Sequence, residues 1–400
     1  LCGMVSGSSV GNTVTTGSVT IPMMKKTGYK PEFAGAVEAA ASTGGQIMPP
    51  IMGAAAFLMA EYMNIPYAKV AVKAILPAVL YFTGIFIAVH LEAKKLGLKG
   101  MPKSEMVSWG ELAKRAYLII PLALLIFLVS SGSRTMQFSA AVSILAAIVV
   151  GFLNKDERLT FGKIVEALEA GAKGAITVAV ACAMAGMIAG CITVTGLASI
   201  LINAIVQMAG DATMIGLLLT MICCIILGMG VPTTANYCIM ASTCAPILVQ
   251  MGFPVVAAHF FVFYFGIVAD ITPPVALAAY AGAAIAKANP MKTGFNATKL
   301  AIAAFVVPYI FAYSPAMLFE NVSGPFAVVQ IVISALLGLF GIAASLNGYL
   351  YKKIPVLFRA ALIIGGLCMM IPGTLSDVAG LIVVGGITLI QRMSARKLAA

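Results

Sequence analysis

The sequence predicts an all-α polytopic membrane protein, built from inverted repeats with re-entrant hairpins and discontinuous helices. Three observations carry that reading. Of the 400 residues, 61% are hydrophobic and only 10% charged, whereas soluble domains carry about 25% charged residues. Long apolar runs recur, such as AYLIIPLALLIFLVSS (116–131) and GLLLTMICCIILGMG (216–230), as spanning helices require. A polar, proline-rich segment near the start returns 224 residues later without a gap.

Charge places the loops. The net charge is +11, and the basic residues sit in short connections between apolar runs. That is the positive-inside pattern and not a nucleic-acid surface, so no nucleic-acid partner is expected. KKTGYK (25–30), residues 92–115, NKDER (154–158), the Lys287/Lys292/Lys299 group, YKK (351–353) and RMSARK (392–397) read as cytoplasmic. The connections near 62–67, 130–135, 209–212, 251–254, 317–324 and 372–375 hold few basic residues and read as periplasmic. The two sets alternate. Eight cysteines lie in or beside apolar runs without a CxxC pair, which fits small apolar packing residues. His90 and His259 are far apart, which argues against a zinc site. The start lacks a basic n-region and an initiator Met, so a longer parent chain is expected.

Along the chain, residues 1–62 read as the first repeat, a truncated hairpin with a broken helix. Residues 63–171 read as scaffold and connecting helices, with the amphipathic FGKIVEALEAG (161–171) in the membrane interface. Residues 172–316 read as the second repeat, with a hairpin at 213–250 and a broken helix at 255–288. The stretch 172–208 is too long for one ordinary span and is expected to break near GCITVTG (190–196). Residues 317–400 read as appended membrane helices.

The repeat is specific. At the 224-residue offset Asn12 falls on Asn236, Ser18 on Ser242, Pro22 on Pro246 and Gly28 on Gly252, and Pro49-Pro50 falls on Pro273-Pro274. Each copy has a polar tip, SGSSVGNT (6–13) or GMGVPTTAN (228–236), then an apolar arm closed by a glycine turn. A helix follows, interrupted by STGGQIMPP (42–50) or VADITPP (268–274). Proline lacks an N–H, so each interruption frees backbone carbonyls, and these are tolerated at membrane depth only where protein buries them or a cavity receives them. The turn after the first arm carries three lysines and its counterpart QMGFP (250–254) none, so the copies are inverted. Inverted repeats with discontinuous helices meeting at the midplane point to a secondary transporter.

Two polar clusters are therefore candidate sites: Ser8, Ser9, Asn12, Thr13, Ser42, Thr43, Gly44 and Gln46 in the first copy, and Thr233, Thr234, Asn236, Asp270 and Thr272 in the second. Half-helix N-termini attract anions, so the tip residues Ser8, Ser9, Asn12, Thr13, Thr233, Thr234 and Asn236 suit an anionic substrate. Exposed carbonyls and hydroxyls suit Na⁺, which assigns Ser42, Thr43, Gly44, Gln46, Asp270 and Thr272 to a coupling ion. No other cofactor is expected. Asp270 has three open readings: a cation ligand, a proton carrier or a cap on a broken helix. Glu38 reads as structural or interfacial, since its repeat partner is Val262. An intramembrane protease would need a Ser/His dyad or two membrane aspartates, and neither pattern is found, so no enzyme is expected.

The segment SGSSVGNTVTTGSVTIPMMKKTGYKPEFAGAVEAAASTGGQIMPPIMGAAAF closely resembles the large permease component of tripartite ATP-independent periplasmic (TRAP) transporters, nearest to fused small-plus-large permeases of the TAXI type. GMGVPTTANYCIMASTCAPIL and FGIVADITPPVALAAYAGAAIA match the second half of that pattern. The resemblance covers about residues 1–316, and the tail is similar to the extra C-terminal segment of some fused permeases. It implies an elevator mechanism, a mobile transport domain beside a static scaffold, in the bacterial inner membrane. It also implies Na⁺-coupled uptake of an organic acid, delivery by a TAXI-type periplasmic binding protein, and a small permease subunit or its fused equivalent. A binding-protein-independent symporter of similar hairpin architecture is the alternative. By the repeat offset, the first hairpin is expected to start about eleven residues before Leu1.

Overall fold

In a computed structural model the described residues are 3, 7–100, 108–131, 134–154, 158–210, 212–322, 324–371 and 373–399. Among them the chain is helical, with one isolated bridge between Tyr349 and Lys353 and no longer strand. Ser6 of the first tip, and 101–107 and 155–157 of the basic loops, lie outside the described residues.

The first copy begins with α1 (Ser9–Thr27). Ser8 caps it by accepting from the Gly11 N–H at 3.1 Å, and Gly28 ends it in the left-handed region at φ 108°. Lys25 and Lys26 in its last turn complement the helix dipole. Helix α2 (Pro31–Gly45) starts on a proline at its first position. Residues 46–54 interrupt it, and α3 (Ala55–Tyr62) follows. Next come the long α4 (Tyr67–Lys95), short α5 (Trp109–Lys114), α6 (Ile120–Ser131) and α7 (Met136–Leu153). Then follow α8 (Phe161–Val194) and α9 (Leu197–Ala209).

The second copy repeats the plan. Its hairpin is α10 (Thr213–Gly228), a tip at 229–232, and α11 (Thr233–Thr243) continued by α12 (Ala245–Gln250). Gly252, at φ 89°, turns the chain as Gly28 does. The second broken helix is α13 (Val255–Val268), an interruption, and α14 (Leu277–Ala286). Both Pro-Pro bonds of the repeat are cis. Helices α15 (Pro290–Leu300), α16 (Ile302–Tyr313), α17 (Pro325–Asn347), α18 (Val356–Cys368) and α19 (Thr374–Ala399) complete the chain.

Among the described residues, five stretches are long and apolar enough to cross a membrane: Tyr67–Lys95, Phe161–Val194, Pro290–Tyr313, Pro325–Asn347 and Thr374–Arg396. The break expected in 172–208 falls at Thr195–Gly196, where Gly196 is left-handed at φ 69°. Residues 161–171, expected in the interface, form no element of their own. Those residues are the opening turns of α8, which runs unbroken through the expected boundary at 171. Thr160 caps it and no proline interrupts it, and the Glu169–Lys173 pair at 2.5 Å supports the turn.

The helices interlock across the repeats. The first half of one broken helix, α2, packs on the second half of the other, α14, and on α1. Backbones touch there: a methyl group on Gly35 would stand 2.8 Å from the Gly282 carbonyl oxygen. Helix α13 forms the centre, with Ala257 through Val268 all buried and Phe260, Phe261 and Phe265 packed against Tyr309, Phe311 and Phe305 of α16. A helix apolar on every side belongs in such a core.

Loops of like charge gather at like ends. Lys25 Nζ donates to the Ala286 carbonyl at 2.8 Å, and Lys95 Nζ to the Asn347 carbonyl at 3.2 Å. At the other end Lys73 pairs with Glu320 at 2.5 Å, and Thr213 Oγ1 lies 3.2 Å from Tyr313 Oη. From Lys73 to Lys95 α4 rises about 33 Å, close to the hydrocarbon thickness of a bilayer.

Candidate functional site

The two tips meet in one cavity of about 680 Å³. Ser8 and Ser9 line it from the start of α1, and Thr233 and Thr234 from the start of α11. Asp270, in the interruption after α13, closes the same wall. Two helix N-termini thus face one space, where unpaired N–H groups and the dipoles favour an anion.

The sequence clusters do not stay separate. Ser9 Oγ of the first copy donates to Asp270 Oδ2 of the second at 2.5 Å, and both groups are buried. Behind the cavity the copies mirror each other. Asn12 Nδ2 donates to Ser42 Oγ at 2.7 Å, and Asn236 Nδ2 donates to the Gly266 carbonyl at 2.9 Å. Position 266 is the repeat partner of 42, so each asparagine ties its hairpin arm to the same turn of its broken helix. Thr13, fully buried, donates to the Ser9 carbonyl at 2.8 Å. Asn12, Thr13 and Asn236 therefore shape the tips from behind and do not line the cavity.

The residues assigned to an ion divide by their remaining capacity. Ser42 is engaged by Asn12 and donates to Glu38 at 3.3 Å. Thr272 Oγ1 donates to the Val268 carbonyl at 2.8 Å. Gly44 is explained by packing, because a methyl group there would stand 2.1 Å from the Tyr81 ring. By contrast, Thr43 Oγ1, Gln46 Oε1 and Gln46 Nε2 are buried with no hydrogen-bond partner among the described residues. Leaving such groups unsatisfied costs about 1–3 kcal/mol each, and the two oxygens fit the donor set of a hard cation. Helix α2 also touches the 269–271 turn that carries Asp270.

Several residues were missed in the sequence. Gly174 and Val178 of α8 cover the cavity, although nothing polar marks them. Tyr67 Oη donates to the Pro50 carbonyl at 2.7 Å and Tyr280 Oη to the Pro274 carbonyl at 2.5 Å. These tyrosines satisfy backbone carbonyls left open at the two helix interruptions. Glu38 is buried and accepts from Thr16, Thr20 and Ser42, which agrees with a structural role that knits α1 to α2.

The family described as "Tripartite ATP-independent periplasmic transporter, DctM component" matches residues 1–326. A protein of Vibrio cholerae named "C4-dicarboxylate TRAP transporter large permease protein DctM" is 32% identical over 112 residues, 28% of this chain and 24% of that protein. A Pseudomonas aeruginosa protein of the same name is 25% identical over 158 residues, 39% of this chain and 36% of that protein. The matched stretches thus span well under half the length of these curated relatives.

Proposed function

The chain belongs to the DctM-component family of tripartite ATP-independent periplasmic transporters, and on that premise we propose that it is the permease of a Na⁺-coupled secondary transporter taking up an organic acid. The single observation that carries this reading is the shared cavity: two inverted tips and Asp270 around about 680 Å³. The curated relatives are named for C4-dicarboxylates, which makes small carboxylates the first class to test. A periplasmic binding protein delivers the acid, a small permease subunit or fused equivalent completes the assembly, and the bacterial inner membrane holds it.

The electrostatics supply a reason for coupling. The tips, with two helix N-termini and the hydroxyls of Ser8, Thr233 and Thr234, suit a carboxylate. Asp270 opposes it in the same space. A substrate carboxylate about 6 Å from an ionised Asp270 meets about 3 kcal/mol of repulsion at an effective dielectric of about 20. A co-transported Na⁺ held by Asp270, with Thr43 and Gln46 as further oxygen donors, removes that repulsion. Acid and ion then bind together or poorly, which is symport. In the elevator reading both tips travel as one body, which the Ser9–Asp270 bond across the repeats supports.

The test is uptake into proteoliposomes by the intact permease with its cognate binding protein. Na⁺-dependent, saturable uptake of a carboxylate that vanishes without the binding protein is expected. Uptake independent of both refutes the proposal.

A further inference from the structure

A second cavity, of about 570 Å³, lies at the basic end of the molecule. Four lysines from different chain segments line it, Lys30, Lys95, Lys292 and Lys299, against two glutamates, Glu32 and Glu92, an excess of two positive charges. Lys95 is engaged by Glu92 at 3.0 Å and by the Asn347 carbonyl. Lys30, Lys292 and Lys299 make no ion pair among the described residues. Phe33, Phe295, Leu300 and Leu346 add apolar surface to the wall beside Asn296 and Asn347, and Phe295 is 56% exposed.

A net excess of two positive charges beside apolar side chains matches a phosphate on a hydrocarbon anchor. Basic pockets between membrane helices on the cytoplasmic side take anionic headgroups in this way. The wall is not the family's alone. Ala343, Leu346 and Asn347 belong to α17, beyond residue 326, where the family match ends.

We propose that this cavity binds the phosphodiester of an anionic membrane lipid, joining the entrance of α2, the helix α15 and the end of α4 to the appended α17. The lipid is favoured over a free phosphate because apolar side chains, one of them largely exposed, continue the basic rim. Substrate and coupling ion play no part in it, so it stands or falls apart from the transport reading.

The test uses the full chain in detergent. Phosphatidylglycerol, phosphatidylcholine or inorganic phosphate is added, and lipid retention is read by native mass spectrometry and stability by thermal unfolding. Wild type should retain phosphatidylglycerol over phosphatidylcholine. Lys292→Gln with Lys299→Gln should weaken retention roughly 30-fold, from about 1 kcal/mol per surface lysine. The Lys292→Arg, Lys299→Arg pair should keep it, as should Lys163→Gln on α8, which does not line the cavity. Equal retention by wild type and the double Gln variant overturns the site. Stabilisation by inorganic phosphate alone, lost in the same variant, overturns the lipid source and assigns the site to a soluble phosphate.

Discussion

Asp270→Asn probes the coupling argument with little change of shape. Wild-type Asp270 accepts from Ser9 Oγ at 2.5 Å, and the isosteric amide retains an oxygen to accept that bond. The bond falls from charge-assisted to neutral, at a cost of about 1 kcal/mol. The larger effect is electrostatic. The amide removes the repulsion of about 3 kcal/mol between residue 270 and a substrate carboxylate, and with it the advantage a bound Na⁺ confers. Na⁺ should therefore improve substrate capture roughly 100-fold in wild type and only a few-fold in the variant. The assay is a sodium titration of uptake in proteoliposomes, with the Na⁺-dependent shift of the melting temperature as its equilibrium companion. The half-saturating Na⁺ concentration should rise and the melting shift should shrink. A variant with wild-type sodium dependence in both readouts refutes the reasoning.

Three further outcomes are expected. Gly44→Ala forces a methyl group to 2.1 Å from the buried Tyr81 ring, whose hydroxyl is tied to the Ala40 carbonyl at 2.7 Å; overpacking and a strained hydrogen bond should cost roughly 2–4 kcal/mol, read as a lowered melting temperature. In a cysteine-depleted protein, a cysteine at Lys26 should be labelled from the cytoplasm and one at Gly252 from the periplasm, and labelling from one side contradicts the inversion. Spin labels beside Asn12 and Asn236 should keep their mutual distance when Na⁺ and loaded binding protein are added, while each moves relative to residues 116–131; a changed tip-to-tip distance favours a rocking mechanism instead.

Much of this architecture was legible because the repeat is carried by residues with strong backbone meaning. Asn12 and Asn236, Gly28 and Gly252, and the two Pro-Pro pairs coincide at one offset, and each pair has the same structural role in both copies. An offset relates equals, however, and the Ser9–Asp270 bond joins unequal positions of opposite copies. The tyrosines over the prolines were hidden for the same reason, since Tyr280 falls on Ala56 and not on Tyr67. The charges of 161–171 sit at helical spacing and read as a surface helix, but with no breaker they simply extend α8. That helix also brings Gly174 and Val178 to the cavity, and small apolar residues leave no chemical trace in a sequence. Thr43 and Gln46 stood out as polar in an apolar run, but only their surroundings show that they lack partners among the described residues.

The claim that both tips hold one substrate is tested most directly by protection from modification. Single cysteines at Ser8 and Thr234, which line the same cavity from opposite copies, are introduced into the cysteine-depleted intact permease. Each is exposed to a charged thiol reagent, with and without Na⁺ and the acid retained by the cognate binding protein. The account expects Na⁺ and acid together to slow modification at both positions, with either alone giving little protection. Protection at one tip only, or unchanged rates at both under conditions that support uptake, contradicts it.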